Sequence, residues 1–374
     1  MQERDMYDIL IENTTKEWYL TMVEGIQNNN PNWEIPKYSK KQVDKAGKVI
    51  ATLITDRNSG ILLKEYEEAI EVLNNWRSSH AYPLEVIANN LRLNNPQAIV
   101  VQRLKRLDSI IGKIQRFPDM SLYRMQDLGG CRVIVNSIKD VYTSVNEYKN
   151  SKVKHIFKRE NDYIQNPKES GYRSYHMIYQ FQSDGNKSYN KNMLIEIQFR
   201  TKLQHIWATA VEMMGIFTKS KLKASMGDEK ILRFFVLVSS LFAKIEKTPI
   251  CPNTIDDKNL IIEEIKEIDT ELNLVSRISA LSVAINSTNN EEQKGKGYYV
   301  LILNYKEKML RVRRFTTNQI ELATRVYNQI EATNDKDIDV VLVSATSFDD
   351  LKEAYPNYFA DISEFVKIMR EILE

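Results

Sequence analysis

The stretch DYIQNPKESGYRSYHMIYQFQ (162–182), continued after a polar patch by NMLIEIQFRTKLQHIWA (192–208), decides how the rest of the chain is read. It opens as a Pro- and Gly-punctuated loop rich in basic and aromatic residues. A strand is predicted from Tyr175, a polar hairpin over 184–190, and a second strand over LIEIQFR, where apolar and polar residues alternate. Period two puts Glu196 and Gln198 on one face of that strand and Ile195, Ile197 and Phe199 on the other. A strand carboxylate facing Lys, Arg, His and Tyr suits phosphoryl transfer, which needs a metal anchor opposite cationic phosphate clamps.

Outward from this stretch, VVQRLKRLDSIIGKIQR (100–116) predicts a strand entering a helix. Arg103 and Lys105 share a side of an extended strand, and Ser109 and Lys113 stack on one helix face. These residues form either a triphosphate grip at a helix start or an amphipathic basic surface helix. MQDLGGCRVIVNSIKDVYTSV (125–145) predicts a turn, a strand and a helix capped by Asp140. Asp127 is then either a second metal carboxylate or ordinary turn chemistry, and Arg132 projects at the strand start. The helix over 201–215 turns Trp207, Ala208, Val211 and Met214 to one side, with His205 as a packing or surface residue. Alternating strands and helices across 103–200 imply an α+β fold, a mixed β-sheet flanked by helices.

Upstream, residues 1–30, 40–55 and 61–76 carry helical spacing, and His80 is expected in a loop before Pro83, followed by a short segment without an assigned element. Downstream, ILRFFVLVSSLFAKI (231–245) and LIIEEIKEIDTELNLVSRISALSVAI (260–285) each predict one apolar-faced helix. NSTNNEEQKGKG (286–297) has linker composition, and a ββαβα pattern follows it. Three units result: 1–225, 226–292 as a helical connector, and 293–374. Tyr355 and Tyr358, in YPNYF, form an aromatic pair suited to the core of the small last unit.

A 374-residue chain that is 43% hydrophobic and 27% charged can bury more than one core. No apolar run approaches the roughly 20 residues of a membrane span, and MQERDMYDIL does not resemble a signal peptide, so the expectation is a cytoplasmic protein without a membrane partner. Cys131 and Cys251 are too few for a disulfide framework or a thiolate zinc site. The net charge of +2 conceals basic clusters over 37–48, 103–116, 152–159 and 219–223. Each is either a solvated face or part of a nucleic-acid or nucleotide surface.

Five runs together, RLKRLDSIIGKI, DLGGCRV, DYIQNPKESGYRSYH, IEIQFRT and the WA that follows, resemble the RelA/SpoT nucleotidyl-pyrophosphokinase family in the family's order. The resemblance implies a synthetase fold that moves the pyrophosphoryl group of ATP onto a ribose hydroxyl with Mg²⁺. Carried over by position, it makes Arg103 and Arg132 an adenine sandwich and Lys105, Ser109 and Lys113 triphosphate contacts. Asp127 and Glu196 become the magnesium carboxylates, with Glu196 also helping to deprotonate the attacking hydroxyl. Tyr172 becomes the platform for the acceptor base, with Lys168, Arg173 and His176 contacting phosphates, and Gln198 and Arg200 in support. Where the family carries a Glu-His pair after WA, this chain has VEMMG, keeping Glu212 and lacking the His.

No His-Asp dipeptide, the mark of the hydrolase domain in long family members, occurs in the chain. The extended C-terminal part resembles instead the fused toxin–antitoxin branch called CapRel, whose last domain is a pseudo-zinc-finger without metal ligands. That branch implies tRNA as acceptor, pyrophosphorylated at its 3′ CCA end, and inhibition until a phage structural protein, typically the major capsid protein, binds. Tyr355 and Tyr358 would then inhibit by occupying the adenine slot. Lys40, Lys41, Lys45 and Lys48, with Lys152, Lys154 and Lys158, could extend a basic surface for tRNA. The alternatives are an alarmone synthetase acting on GDP or GTP, and an inactive binding module. Both carboxylates and both arginines being present argues against the inactive one.

Overall fold

The computed structural model describes residues 33–55, 62–117, 119–217, 228–282, 286–287, 295–304, 307, 309–333, 335, 337–359 and 362–374. The helix expected over 1–30 and the basic run 219–223 lie outside them. The N-terminal elements are α1 (Lys40–Thr55), α2 (Leu63–Ser78), α3 (Ala81–Asn94), β1 (Ile99–Leu104), α4 (Leu107–Arg116), β2 (Gly129–Val135) and α5 (Ile138–Asn150). After them come β3 (Ile156–Asp162), β4 (Tyr175–Gln180), β5 (Leu194–Thr201) and α6 (Lys202–Phe217). Three connector helices follow, α7 (Glu229–Glu246), α8 (Lys258–Leu272) and α9 (Leu274–Ser282). The last elements are β6 (Asn286–Ser287), then, in the C-terminal unit, β7 (Gly297–Asn304), β8 (Met309–Phe315), α10 (Ile320–Ala332), β9 (Ile338–Ala345), α11 (Phe348–Ala354), α12 (Pro356–Phe359) and α13 (Ser363–Leu373).

The nine strands among the described residues join one sheet, in the order β3-β4-β5-β2-β1-β9-β7-β8-β6. The sheet is mixed, because β2 runs parallel to β5 while β1–β2, β3–β4 and β4–β5 are antiparallel. The C-terminal strands extend it edge to edge: β9 pairs antiparallel with β1 through Gln102↔Ser344 and Arg103↔Val343. The edge that β1 would otherwise present is therefore covered by a strand some 240 residues away in sequence.

Pleating sorts the side chains into two layers. Val100 and Leu104 of β1, Cys131 and Val133 of β2, Ile195, Ile197 and Phe199 of β5 and Val340 and Leu342 of β9 join one core, under α1 to α5 and α10. Ile99, Val101, Ile134, Val341 and Val343 lie on the other face, in a cluster with Leu351, Ala354, Tyr355 and Tyr358 of the α11–α12 segment. By the same parity Arg103, Gly130, Arg132, His176, Glu196, Gln198 and Arg200 belong to this second face. A third core joins α6 to α7, α8, α9 and α13, with Trp207, Phe234, Phe242, Ile265, Leu274 and Phe365 buried in it.

Several expectations need correction. The segment left without an element is almost all helix, α3, whose buried Leu84, Ile87, Ala88 and Leu91 recur at helical steps before the chain leaves it at Asn95. His80 does lie in the short turn between α2 and α3, before Pro83, but it is wholly buried there, edge-on to Trp76. The long helix expected over 260–285 breaks at Asn273, whose φ of 51° is left-handed, a conformation that asparagine tolerates better than most residues. Gly129 and Gly130 already belong to β2, and α5 starts at a Ser137 cap with Asp140 completing a capping box. Within the segment of linker composition, Asn286 and Ser287 form a short strand on β8.

Candidate nucleotide site

The second face of the sheet encloses a cavity of about 70 Å³ lined by Arg103, Lys105, Asp127, Gly130, Arg132, Glu196, Gln198 and Tyr355. Gly130 opens this wall: a Cβ there would meet only Glu196 backbone oxygen, at 3.9 Å. A larger cavity, about 230 Å³, lies between α2 and α10 and contains none of the expected site residues.

At one end of the site, Asp127 accepts from Lys105 Nζ at 2.7 Å and from Lys113 Nζ at 2.9 Å. Burial by itself would raise the Asp127 carboxyl, but the two ammonium groups override it and hold it at about 2. Lys105, for its part, is pushed down by burial against the pull of Asp127. At the centre, His176 sits between two partners: Nδ1 lies 2.9 Å from Glu196 Oε1 and Nε2 lies 2.9 Å from the Tyr172 hydroxyl. Burial opposes the imidazolium, yet Tyr172 and Glu196 lift His176 to about 9. Against its own burial, Tyr172 is drawn down to about 8 by His176 and Arg200. Gln198 Nε2 donates to the remaining Glu196 oxygen at 2.7 Å, which orients the carboxylate.

The loop carrying Tyr172 is set by Gly171, whose φ of 86° only glycine adopts without strain. Lys168 Nζ stands 4.4 Å from the Tyr163 ring centroid and 5.4 Å from that of Tyr172. Tyr172 is half-buried, with one neighbour a T-shaped Tyr163. Arg173 departs from expectation. It is buried, and its guanidinium donates to Ser239 Oγ at 3.0 Å and to Ile164 O at 3.3 Å, with Cys251 Sγ at 3.6 Å. It ties the loop to α7 instead of facing a phosphate. His176, too, is buried between protein partners and serves first to join Tyr172 to Glu196.

The two C-terminal tyrosines do different things. Tyr355 is 3% exposed, with the Arg132 guanidinium 5.6 Å from its ring centroid and Arg132 Nη1 donating to Ala354 O at 3.0 Å. It lines the same cavity as Arg103 and Arg132. Tyr358, expected in the same slot, lies instead against Arg106, 5.5 Å from its ring centroid, and donates to Asp339 Oδ2 at 3.0 Å. His205 Nε2 lies 2.8 Å from Glu353 O, so α6 also holds the end of α11. Lys40, Lys41, Lys45, Lys48, Lys152, Lys154 and Lys158 are all exposed, and Lys154 pairs with Asp184.

Both carboxylates offer the hard oxygen donors that magnesium takes, and both line the one cavity. The donor set therefore fits that metal. Sequence reasoning missed Arg77, Glu331 and Asp339, which join the synthetase to the C-terminal unit beside α4. No local pattern marks them, because their partners lie 254 and 233 positions away.

This geometry gathers two carboxylates and several cationic side chains on one face of a mixed sheet, and sequence comparison supplies the class of the chain. Residues 102–221 match the family model described as a region found in RelA / SpoT proteins, and the chain belongs to that family. Among its curated relatives is the GTP pyrophosphokinase YjbM of Bacillus subtilis (strain 168), 30% identical over 164 residues that cover 41% of this chain and 76% of YjbM. Another is the GTP pyrophosphokinase YwaC of the same organism, 34% identical over 128 residues, or 32% of this chain and 59% of YwaC. A solved structure of the small alarmone synthetase 1 of Bacillus subtilis with its product pppGpp is 24% identical, covering 52% of this chain and 94% of that one, with a TM-score of 0.38.

Proposed function

We propose that this protein is a self-inhibited, ATP-dependent pyrophosphokinase, a fused toxin–antitoxin whose C-terminal unit holds the donor site shut. One observation carries the proposal: the Tyr355 ring lies 5.6 Å from the Arg132 guanidinium and lines the cavity that Arg103, Asp127 and Glu196 also line. A guanidinium takes the flat face of an adenine as readily as that of a phenol ring, so ring and base compete for one surface.

In the open state Arg103 and Arg132 stack the adenine, while Lys105, Ser109 and Lys113 hold the triphosphate. Lys105 and Lys113 need only exchange the Asp127 carboxylate for phosphate oxygens. Asp127 and Glu196 would hold magnesium, which supplies charge neutralisation along the phosphates. Tyr172 stacks the acceptor base, and Lys168 beside it meets acceptor phosphate. Glu196, oriented by Gln198 and His176, takes the proton from the attacking ribose hydroxyl.

For the acceptor we favour the 3′ CCA end of tRNA, whose modification would stop aminoacylation and translation. The exposed lysines of α1 and of 152–158 support an extended nucleic-acid surface. In this proposal the C-terminal unit is the pseudo-zinc-finger sensor, and a phage major capsid protein releases it. The second proposal, pyrophosphoryl transfer to GDP or GTP, is favoured by the relatives being named GTP pyrophosphokinases.

The test uses the full chain with γ-labelled or β-labelled ATP, offered deacylated tRNA, GDP or GTP, with and without capsid protein. Tyr355→Ala should transfer label without capsid protein, whereas the parent chain should require it. If Tyr355→Ala is as inactive as the parent while capsid protein activates both, the plug is elsewhere. Label on a guanine nucleotide and none on tRNA establishes the second acceptor.

A further inference from the structure

The C-terminal unit meets the synthetase at a second place beside the donor site, and there the contact is ionic. Glu331, in the last turns of α10, accepts from the backbone N–H of Leu107, the first residue of α4, at 2.5 Å, and from the Tyr327 hydroxyl at 2.9 Å. Its other oxygen pairs with Nη1 of Arg77, which is fully buried and whose Nε has no partner. Asp339, on β9, accepts from Arg106 Nη1 with both oxygens, at 2.7 and 2.8 Å. Arg106, Ser109, Glu331 and Asp339 together line a cavity of about 90 Å³.

The first amides of a ten-residue helix flanked by two guanidinium groups form the arrangement that binds phosphate oxygens. Here carboxylate oxygens stand in that arrangement. Charge is split across the contact: the synthetase brings Arg77 and Arg106 against Asp108, and the C-terminal unit brings Glu331, Asp335 and Asp339. With the C-terminal unit withdrawn, a buried cation and an unsatisfied helix N–H would be left facing an opening, and both call for an anion.

We infer that Arg77, Arg106 and the start of α4 form a phosphate cradle at the tail of the donor site, and that Glu331 and Asp339 occupy it as phosphate mimics in the closed protein. This deepens the regulation proposed above and rests on the assignment of Ser109 and Lys113, on the same helix, to the triphosphate. The C-terminal unit then copies the donor nucleotide at both ends: the Tyr355 ring stands for the base and two carboxylates stand for the phosphates. Tyr358 joins the two points, since it lies on Arg106 and donates to Asp339.

The two ends are separable by probes that carry only one of them. Binding of inorganic tripolyphosphate, adenosine and ATP is measured by calorimetry on the full chain and on Glu331→Gln, Asp339→Asn and Tyr355→Ala. Each carboxylate variant should bind tripolyphosphate about tenfold more tightly than the parent, with adenosine unchanged. Tyr355→Ala should show the reverse pattern. Glu331→Gln leaves the buried Arg77 without its counter-charge, so where its thermal melt shows misfolding the result rests on Asp339→Asn, whose Arg106 keeps Glu212. Unchanged tripolyphosphate affinity in the folded variants overturns the cradle, and so does an equal rise for adenosine, which would mean general loosening. A Tyr355→Ala protein that binds neither adenosine nor ATP overturns the donor-site assignment instead, and leaves the tripolyphosphate comparison as a separate result.

Discussion

At the scale of single residues, the sequence exposes side chains whose role follows from alternation and hides those whose role depends on distant burial. Glu196 and Gln198 were legible as a pair because a strand repeats every two residues, and they are hydrogen-bonded. Arg173 was not, because Ser239 and Cys251 approach it from 66 and 78 positions away. His80 was hidden for the same reason, and it has a measurable consequence. Its Nδ1 lies 2.7 Å from Trp76 O, so that nitrogen carries the proton and donates it, while Nε2 is buried without a partner. Burial pushes its pKa from 6.5 down to about 4, with the Trp76 bond only partly opposing. The unfolded chain therefore binds a proton between those values that the folded chain refuses. The contribution is present in full above pH 6.5 and is lost as pH falls toward 4, by at most about 3 kcal/mol. Urea unfolding of the parent between pH 7 and pH 4 should show this fall, and His80→Gln should flatten it by a comparable amount. An identical slope in both proteins would assign the loss to other groups.

At the scale of elements, turn chemistry and periodicity placed β1, β2, β4, β5 and α6 to within a residue or two, yet left α3 unassigned. Pro83 and the polar pair Asn89 and Asn90 mask its apolar face, although Pro83 stands in the first turn, where a missing N–H costs nothing. The loop before β4 shows what a single glycine contributes to an element. Gly171 accepts a bond from Ser239 Oγ at 2.6 Å, and a Cβ on it would lie 2.8 Å from Trp207 Cζ2. Trp207 cannot yield, because its Nε1 donates to Phe235 O at 2.8 Å within the helical core. Gly171→Ala thus adds a left-handed φ to an overpacked contact, for an expected loss of about 2–4 kcal/mol in chemical unfolding. Because Tyr172 is the next residue, the activated enzyme should also show a higher acceptor KM while its KM for ATP holds. Equal losses for both substrates would point to general unfolding instead.

At the scale of the molecule, the expected division into synthetase, connector and C-terminal unit did not anticipate the packing, in which strands of the first and last units share one sheet. A mixed sheet flanked by helices could be anticipated within the synthetase, whereas its strand order and the β1–β9 junction could not, since a two-residue pairing between remote strands has no sequence signature. Nor was it visible that α13 leaves the small unit to pack Phe365, Val366 and Met369 among α6, α7, α8 and α9. The strands and helices from Gly297 to Phe359 are therefore tethered at both ends, by the connector before them and by α13 after them. The withdrawal of Tyr355 proposed above would work against that second tether, because only residues 360–362 separate α12 from α13. Phe365 is fully buried beside Phe235 and Phe242, with ring centroids 6.3 and 6.4 Å away. Its truncation to Ala should weaken the docking of α13 by about 3–5 kcal/mol. If the tether helps keep the donor site shut, Phe365→Ala should bind ATP more tightly than the parent chain in the absence of any trigger. The measurement belongs at a temperature where circular dichroism shows the variant still folded. ATP affinity that stays at the parent's value there would confine α13 to supporting the helical core, and would leave Tyr355 and the carboxylates of α10 and β9 to hold the site closed without it.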